Sequence, residues 1–277
     1  MIGKDNKYDA VIVGAGVSGL FMFYKLRNMG LSVLVIEKSD ELGGTWNWNR
    51  YPGARCDIPS LEYSYQFDED LQQEWNWSEK YSAGPEILEY LNHVAEKFDL
   101  KDYINFEEEV IQAKFNEDSC LWSVSTNKQK YVAKFCIFAT GCLSIPNKPE
   151  IPGLESFEGK LLHTATWPRE EQNFTDKNVA IIGTGSSSIQ TIPEIAKDVK
   201  NLYVFQRTPN YSIPSNNGPM DKDVEAQVKA RYSEFRKENS LNGFGLASLS
   251  DEAMISESDL EEVNSQFEEN WNTSGLA

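Results

Sequence analysis

The sequence predicts an α/β fold in which two parallel βαβ dinucleotide-binding units are combined with a small antiparallel β meander and a helical appendage. Three observations carry that expectation. A β-rich run, a glycine-rich turn and a helical stretch occur in that order twice, from Tyr8 and again from Val179. Three short apolar runs separated by polar turns lie between the repeats, and beyond Pro214 the chain becomes charged and poor in apolar positions.

The chain has 277 residues, 40% of them hydrophobic, enough for one large or two ordinary domains with real cores. A formal charge of −17 argues against nucleic acid or an anionic membrane as partner, because phosphate binding draws on clustered Lys and Arg. Polar residues at the start run straight into a strand, so no leader peptide is expected and a cytoplasmic location is. The most apolar segment, Ala10 to Leu26, is interrupted by three glycines and Lys25 and is too short to cross a bilayer. Cys56, Cys120, Cys136 and Cys142 show neither metal-ligand spacing nor a redox pair, as expected of reduced thiols.

Tyr8 to Val13 is the first strand and ends in Gly14-Ala-Gly16-Val-Ser-Gly19. Leu20 to Met29 continues with helical periodicity, Gly30 closes the helix, and the strand Ser32 to Ile36 delivers Glu37, 23 residues after Gly14. A lone Gly-x-Gly-x-x-Gly is weak evidence; a strand before it, a helix after it and an acid at this distance make it a Rossmann-like fingerprint. The glycines let the backbone approach a pyrophosphate at the helix N-terminus, and Glu37 can accept hydrogen bonds from a ribose diol. The alternative is a mere tight turn.

Glu41 to Asp57 is a turn-rich, aromatic loop too long for a simple connector. Its Arg50, Arg55 and Asp57 either line a ligand or pair with one another to hold the loop. Ala83 to Phe98 reads as an amphipathic helix with Pro85 in the first turn and Ile87, Leu88, Leu91, Val94, Ala95 and Phe98 on one stripe. His93 lies off that stripe and is expected in solvent.

Ile104 to Ala113, Leu121 to Thr126 and Tyr131 to Ala139 are expected strands of the meander, feeding back into the main sheet. The last ends in Ala139-Thr-Gly141, where the chain can turn beside a cofactor. Ile145 to Gly153 carries three prolines and reads as a semi-rigid linker. Past it, Val179 to Ile182 is a strand, Gly183-Thr-Gly185-Ser186-Ser187-Ser188 a second nucleotide loop with Ser188 in place of the third glycine, and Ile189 to Ala196 a helix. The following strand, Asn201 to Phe205, leads to Gln206-Arg207-Thr208. Arg207 stands 24 residues after Gly183, where a base suits a 2′-phosphate that a carboxylate would repel; a structural salt bridge is the alternative. Asp221 to Ser240 is expected as a charged helix, Leu241 to Leu246 as a loop and Ser256 to Trp271 as another helix. The expected domains are 1–145, 146–214 and a truncated helical insertion at 215–277.

These residues together resemble the class B flavoprotein monooxygenases, most closely the Baeyer-Villiger monooxygenases, over nearly the whole chain from Tyr8. That family's Phe-x-Gly-x-x-x-His-x-x-x-Trp-Pro signature is matched by Phe157, Gly159, His163, Trp167 and Pro168. Related flavin-containing monooxygenases usually lack the Trp-Pro ending. Gly43 to Asp57 is similar to the family's flavin-side loop, and Gln206 to Asn210 to its NADPH-binding segment.

The resemblance implies FAD on the first unit, held through Gly14, Gly16, Gly19, Glu37, Gly44, Thr45, Trp46, Asp57 and Tyr63. It implies NADPH on the second, held through Gly183, Gly185, Ser186, Ser187, Arg207 and Thr208. With molecular oxygen, such an enzyme inserts one oxygen atom into a small-molecule ketone to give an ester or lactone. Asp57 matches the aspartate that holds the family's catalytic arginine, and Cys142 and Leu143 are expected to face substrate. His163 and Trp167 are expected to lock the linker and couple the domains; a buried structural histidine is the alternative. Family members run to roughly twice this length, so the chain is expected to correspond to an N-terminal half, without that arginine and unable to complete oxygenation alone. N- or S-hydroxylation and a non-catalytic nucleotide-binding fragment are the competing functions. A disulfide reductase would need a cysteine pair near the Gly-Gly-Thr loop, where Trp46 and Trp48 stand instead.

Overall fold

A computed structural model describes residues 6–210, 212–243, 245–246 and 260–273. Packing divides the chain into two units, Met1–Tyr51 with Ile87–Gln172, and Pro52–Glu86 with Asn173–Ala277. Each unit draws on two separated stretches.

The first unit is built on one six-stranded sheet in the order β3-β2-β1-β6-β5-β4. β1 (Lys7–Val13) pairs in parallel with β2 (Val33–Ile36) through Ala10–Val33 to Val13–Ile36. Between them α1 (Val17–Asn28) ends at Gly30, whose φ of +79° lets its N–H reach the Arg27 carbonyl. Val11, Leu34, Ile36, Val124, Tyr131 and Ala133 form a core cluster across parallel and antiparallel strands.

The expected strand Ile104 to Ala113 is two strands. β3 (Ile104–Asn105) extends the parallel sheet beside β2, and β4 (Val110–Asn116) begins the meander with β5 (Leu121–Thr126) and β6 (Lys130–Phe138). The break has a physical cause: Glu107 adopts a φ of +54°, and the next residue, Glu108, is buried. Its carboxylate accepts hydrogen bonds from Tyr131 (2.8 Å), Thr126 (2.6 Å) and Asn105 (3.0 Å). Burial, with the Glu108 charge beside it, pushes the Tyr131 phenol up to about 12. β6 then returns beside β1 in parallel, as the meander reading expected.

The aromatic loop after Glu37 holds a helical turn, α2 (Thr45–Trp48), which the turn-rich sequence concealed. Further on come α3 (Glu69–Glu74), capped by Asp68 accepting from the Leu71 N–H, and α4 (Gly84–Lys97). Ile87, Leu91, Val94 and Ala95 of α4 are buried as expected, and Tyr90 joins them. His93, expected in solvent, is half-buried.

In the second unit β7 (Asn178–Ile182) and β8 (Asn201–Phe205) form a two-stranded parallel sheet in the register Asn178–Asn201 to Ile182–Phe205. α5 (Ser186–Ile195) starts three residues before the expected Ile189. The expected helix Asp221 to Ser240 is two, α6 (Lys222–Ala230) and α7 (Tyr232–Leu241), broken at Arg231 (φ −127°, ψ 26°). The helices of this expected appendage are anchored within the second unit. Tyr232 and Glu225 are buried, Lys229 donates to the Gln73 and Trp75 carbonyls, and Arg236 donates to the Glu62 carbonyl and Ser64 Oγ. Polar anchors do here what the few apolar positions could not. α8 (Leu260–Thr273) covers most of the last expected helix, whose beginning at Ser256 lies outside the described residues, as do Phe244 and Leu241–Leu246's neighbours from 247 to 259. No described helix is long and apolar enough to cross a membrane.

Candidate functional site: two nucleotide loops

Both glycine loops adopt the same backbone. Gly14 and Gly183 have φ of +106° and +102°, and each donates its N–H at 2.8 Å to the last carbonyl of the neighbouring strand, Ile36 or Phe205. The following N-caps agree as well: Gly16 lies at φ −81°, ψ −170° and Gly185 at φ −74°, ψ −178°. Neither cap carries a side-chain hydrogen bond, and neither helix has an acid in its first turn. A helix N-terminus without a side-chain cap or a first-turn acid carries the positive end of the helix dipole toward the glycine loop, where an anion is favoured.

The first loop is tight. A Cβ on Gly19 would lie 1.9 Å from the Gly14 carbonyl oxygen, and one on Gly14 would lie 2.6 Å from the Ala139 carbonyl oxygen. Helix, strand and the Ala139-Thr-Gly141 turn can close together only over glycine. Gly44, at φ +53°, would set a Cβ 3.0 Å from the Gly16 Cα, so the Gly44-Thr45-Trp46 turn faces the glycine loop directly. The second loop is open by comparison, with nothing within 4 Å of a Cβ on Gly183 or Gly185.

Glu37 is buried, and its carboxylate is already engaged: one oxygen accepts from the Ala15 N–H at 2.7 Å, the other from the Ser39 N–H at 2.8 Å. Two donors leave lone pairs on both oxygens, so the acid can brace the loop and still accept from ribose hydroxyls. Ser39 Oγ accepts from the amide of buried Asn47 at 2.7 Å, tying α2 to the end of β2. Asn47 lies in the aromatic loop, but nothing in the sequence marks it as the residue that ties the loop to Ser39.

The loop arginines and Asp57 do not pair with one another. Arg55 pairs with Glu79 at 2.8 Å, and its backbone is held by Gln190 of α5, whose amide donates to the Arg55 carbonyl at 3.0 Å. Burial alone would raise the Glu79 carboxyl, but hydrogen bonds from Arg55 and Asn217 hold it below the ordinary glutamate value. Arg50 donates to the Asn47 carbonyl and lies over the Trp48 ring; burial, then the nearby Arg169 charge, lowers its pKa. Asp57 is exposed and Tyr63 half-buried, both within the second unit. Cys56 beside Asp57 is buried, which pushes its thiol up to about 11 and makes it inert. Cys142 and Leu143 are exposed.

His163 is half-buried, not a core histidine. Its Nδ1 accepts from the Ala165 N–H and its Nε2 bonds the Asn147 carbonyl, both at 3.2 Å. A carbonyl only accepts, so the proton sits on Nε2, and the ring pins the proline-rich linker to the turn before buried Trp167. Arg169 then pairs with Asp40 at 2.5 Å, and the Phe157 ring covers Gly159, where a Cβ would meet it at 2.4 Å. Within the Phe-x-Gly-x-x-x-His-x-x-x-Trp-Pro stretch, Phe157 thus covers Gly159, His163 ties the linker, and Trp167 is buried.

In the second unit Arg207 and Thr208 are exposed, and Arg207 makes no ion pair among the described residues. The structural counterpart of Glu37 is Gln206, one residue earlier than the base singled out by spacing. Gln206 donates to Thr184 Oγ1 at 2.8 Å, and Asn210 donates to the Thr184 carbonyl at 2.6 Å.

A family profile described as pyridine nucleotide-disulphide oxidoreductase matches residues 11–274. A Baeyer-Villiger monooxygenase of Pseudooceanicola batsensis is 40% identical over 278 residues, covering 99% of this chain and 50% of that protein. Among solved structures, an oxidized steroid monooxygenase bound to NADP shares 46% identity at a TM-score of 0.92, over 97% of this chain and 52% of that one. A solved structure of OTEMO in complex with FAD and NADP shares 36% identity at a TM-score of 0.92, over 99% of this chain and 52% of that one. The chain spans about half the length of the relatives it matches.

Proposed function

We propose a function from one premise: this chain belongs to the pyridine nucleotide-disulphide oxidoreductase family. The reading is a flavin- and NADPH-dependent monooxygenase that inserts one oxygen atom of O2 into a small-molecule ketone, giving an ester or lactone. The observation that carries it is the pair of glycine loops of like backbone with different markings, buried Glu37 bonded to the first, and exposed Arg207 following the residue, Gln206, that is bonded to the second. A carboxylate suits the free ribose of FAD, and a guanidinium suits the 2′-phosphate of NADPH.

The first cradle fits FAD: its glycines sit where a Cβ would collide, no side chain caps α1 at Gly16, and Gly44 lies against the same turn. FAD, when bound, supplies the redox centre between NADPH and oxygen. The chain's own part is to hold the pyrophosphates on α1 and α5, and the two riboses on Glu37 and beside Arg207. Asp57 is assigned to the catalytic constellation, and His163 and Trp167 to coupling the two nucleotide sites through the pinned linker. Four free cysteines support a cytoplasmic location.

The test is product analysis with NADPH, 18O2, a cyclic ketone and a thioether, on a polypeptide containing this sequence. A lactone carrying one labelled oxygen is expected. Sulfoxide alone would move the assignment to a hydroxylating enzyme, and no oxygenated product with NADPH consumed would refute it.

A further inference from the structure

We propose that Gln206 sets the second unit's preference for a 2′-phosphorylated nucleotide, by standing uncharged at the position where the first unit carries Glu37. The equivalence rests on hydrogen bonds within each unit. The Gly14 N–H meets the Ile36 carbonyl and the Gly183 N–H meets the Phe205 carbonyl, each at 2.8 Å. The next residue in each strand is therefore Glu37 or Gln206, and both stand 23 residues after the first loop glycine. Both side chains also reach the same loop position: Glu37 accepts from the N–H of Ala15 at 2.7 Å, and Gln206 donates to Oγ1 of Thr184 at 2.8 Å.

The chemistry follows from the exchange of a carboxylate for an amide at one point. A carboxylate there accepts from a ribose diol but repels a 2′-phosphate, which carries between one and two negative charges. An amide keeps the brace to the loop without the repulsion. Asn210, donating to the Thr184 carbonyl at 2.6 Å, closes the segment's other end on the same residue. Arg207 and Thr208 are held between these ties and exposed. Arg207 provides the attraction; Gln206 withholds the veto.

The proposal rests on the NADPH reading of the second unit, and the test separates the two. NADP+ and NAD+ are titrated calorimetrically into the wild-type chain, Gln206→Glu and Gln206→Leu, with thermal unfolding of each recorded alongside. Glu keeps the length of Gln and can accept from the Thr184 hydroxyl, so only charge changes. Gln206→Glu is expected to lose at least about tenfold in NADP+ affinity, with NAD+ affinity within about twofold and the discrimination shrinking as salt is raised. Gln206→Leu keeps the preference for NADP+. Equal losses for both nucleotides in Gln206→Glu would overturn the proposal. A wild-type chain that prefers NAD+, or binds neither, would remove the NADPH reading and the proposal with it.

Discussion

Replacing Glu37 with Gln tests whether the acid braces the first loop as well as marking it. The wild-type carboxylate accepts from two backbone donors, Ala15 N–H at 2.7 Å and Ser39 N–H at 2.8 Å, and all three residues are buried. Glutamine retains one carbonyl oxygen and turns its NH2 toward the other N–H, so one donor is left facing a donor. A hydrogen bond to a charged group contributes about 1.5–3 kcal/mol, and a buried donor left without an acceptor costs about 1–3 kcal/mol. These describe largely the same event, so the expected loss is about 2–3 kcal/mol and not their sum. Equilibrium urea unfolding reads it as a lower midpoint at unchanged slope. FAD affinity falls in parallel, because the loop that presents α1 is no longer held. A stability loss under about 0.5 kcal/mol would show that the two hydrogen bonds do not brace the loop and would refute the reasoning.

Gly14→Ala and Gly183→Ala both place an L side chain at φ above +100°, costing about 1–3 kcal/mol. Only the first adds a clash, 2.6 Å from the Ala139 carbonyl oxygen, so its thermal midpoint should fall clearly further; equal shifts would contradict the difference in tightness. His163→Ala removes the bond to Asn147, worth about 1 kcal/mol, and should speed cleavage after Glu150 by a glutamate-specific protease about fivefold. An unchanged rate would mean that the ring does not pin the linker. Asp9 is held well below its ordinary 3.8 by Lys134 first and by Ser32. A depressed folded-state pKa stabilises above the unfolded value and loses that contribution as pH falls below about 4. Asp9→Asn should therefore lower stability at pH 7 and flatten the acid limb, and a limb as steep as wild type would contradict the assignment.

What the sequence made legible follows from local rules. Strand, glycine turn, helix and strand are written in neighbouring residues, and the two copies fold with nearly equal φ at Gly14 and Gly183. The meander was readable for the same reason. Positions that depend on one residue of register were not: spacing selected Arg207, whereas the Gly183–Phe205 hydrogen bond puts Gln206 opposite the loop. Strand ends are set by pairing, which local propensity does not fix to a single residue. Distance in sequence hid the rest. Arg55 finds Glu79, and Lys229 and Arg236 find the carbonyls of Gln73, Trp75 and Glu62, from elements with no shared motif. Glu108, the middle of three consecutive glutamates, could not be read as buried because its partners, Thr126 and Tyr131, arrive from later strands.

The central claim is that one chain carries two nucleotide sites of different chemistry. Titrating the purified chain with FAD, then with NADP+ in the presence of saturating FAD, measures both. One equivalent of each, with neither displacing the other, is the predicted result. Competition for a single site, or a colourless protein that takes up no flavin, would contradict the account.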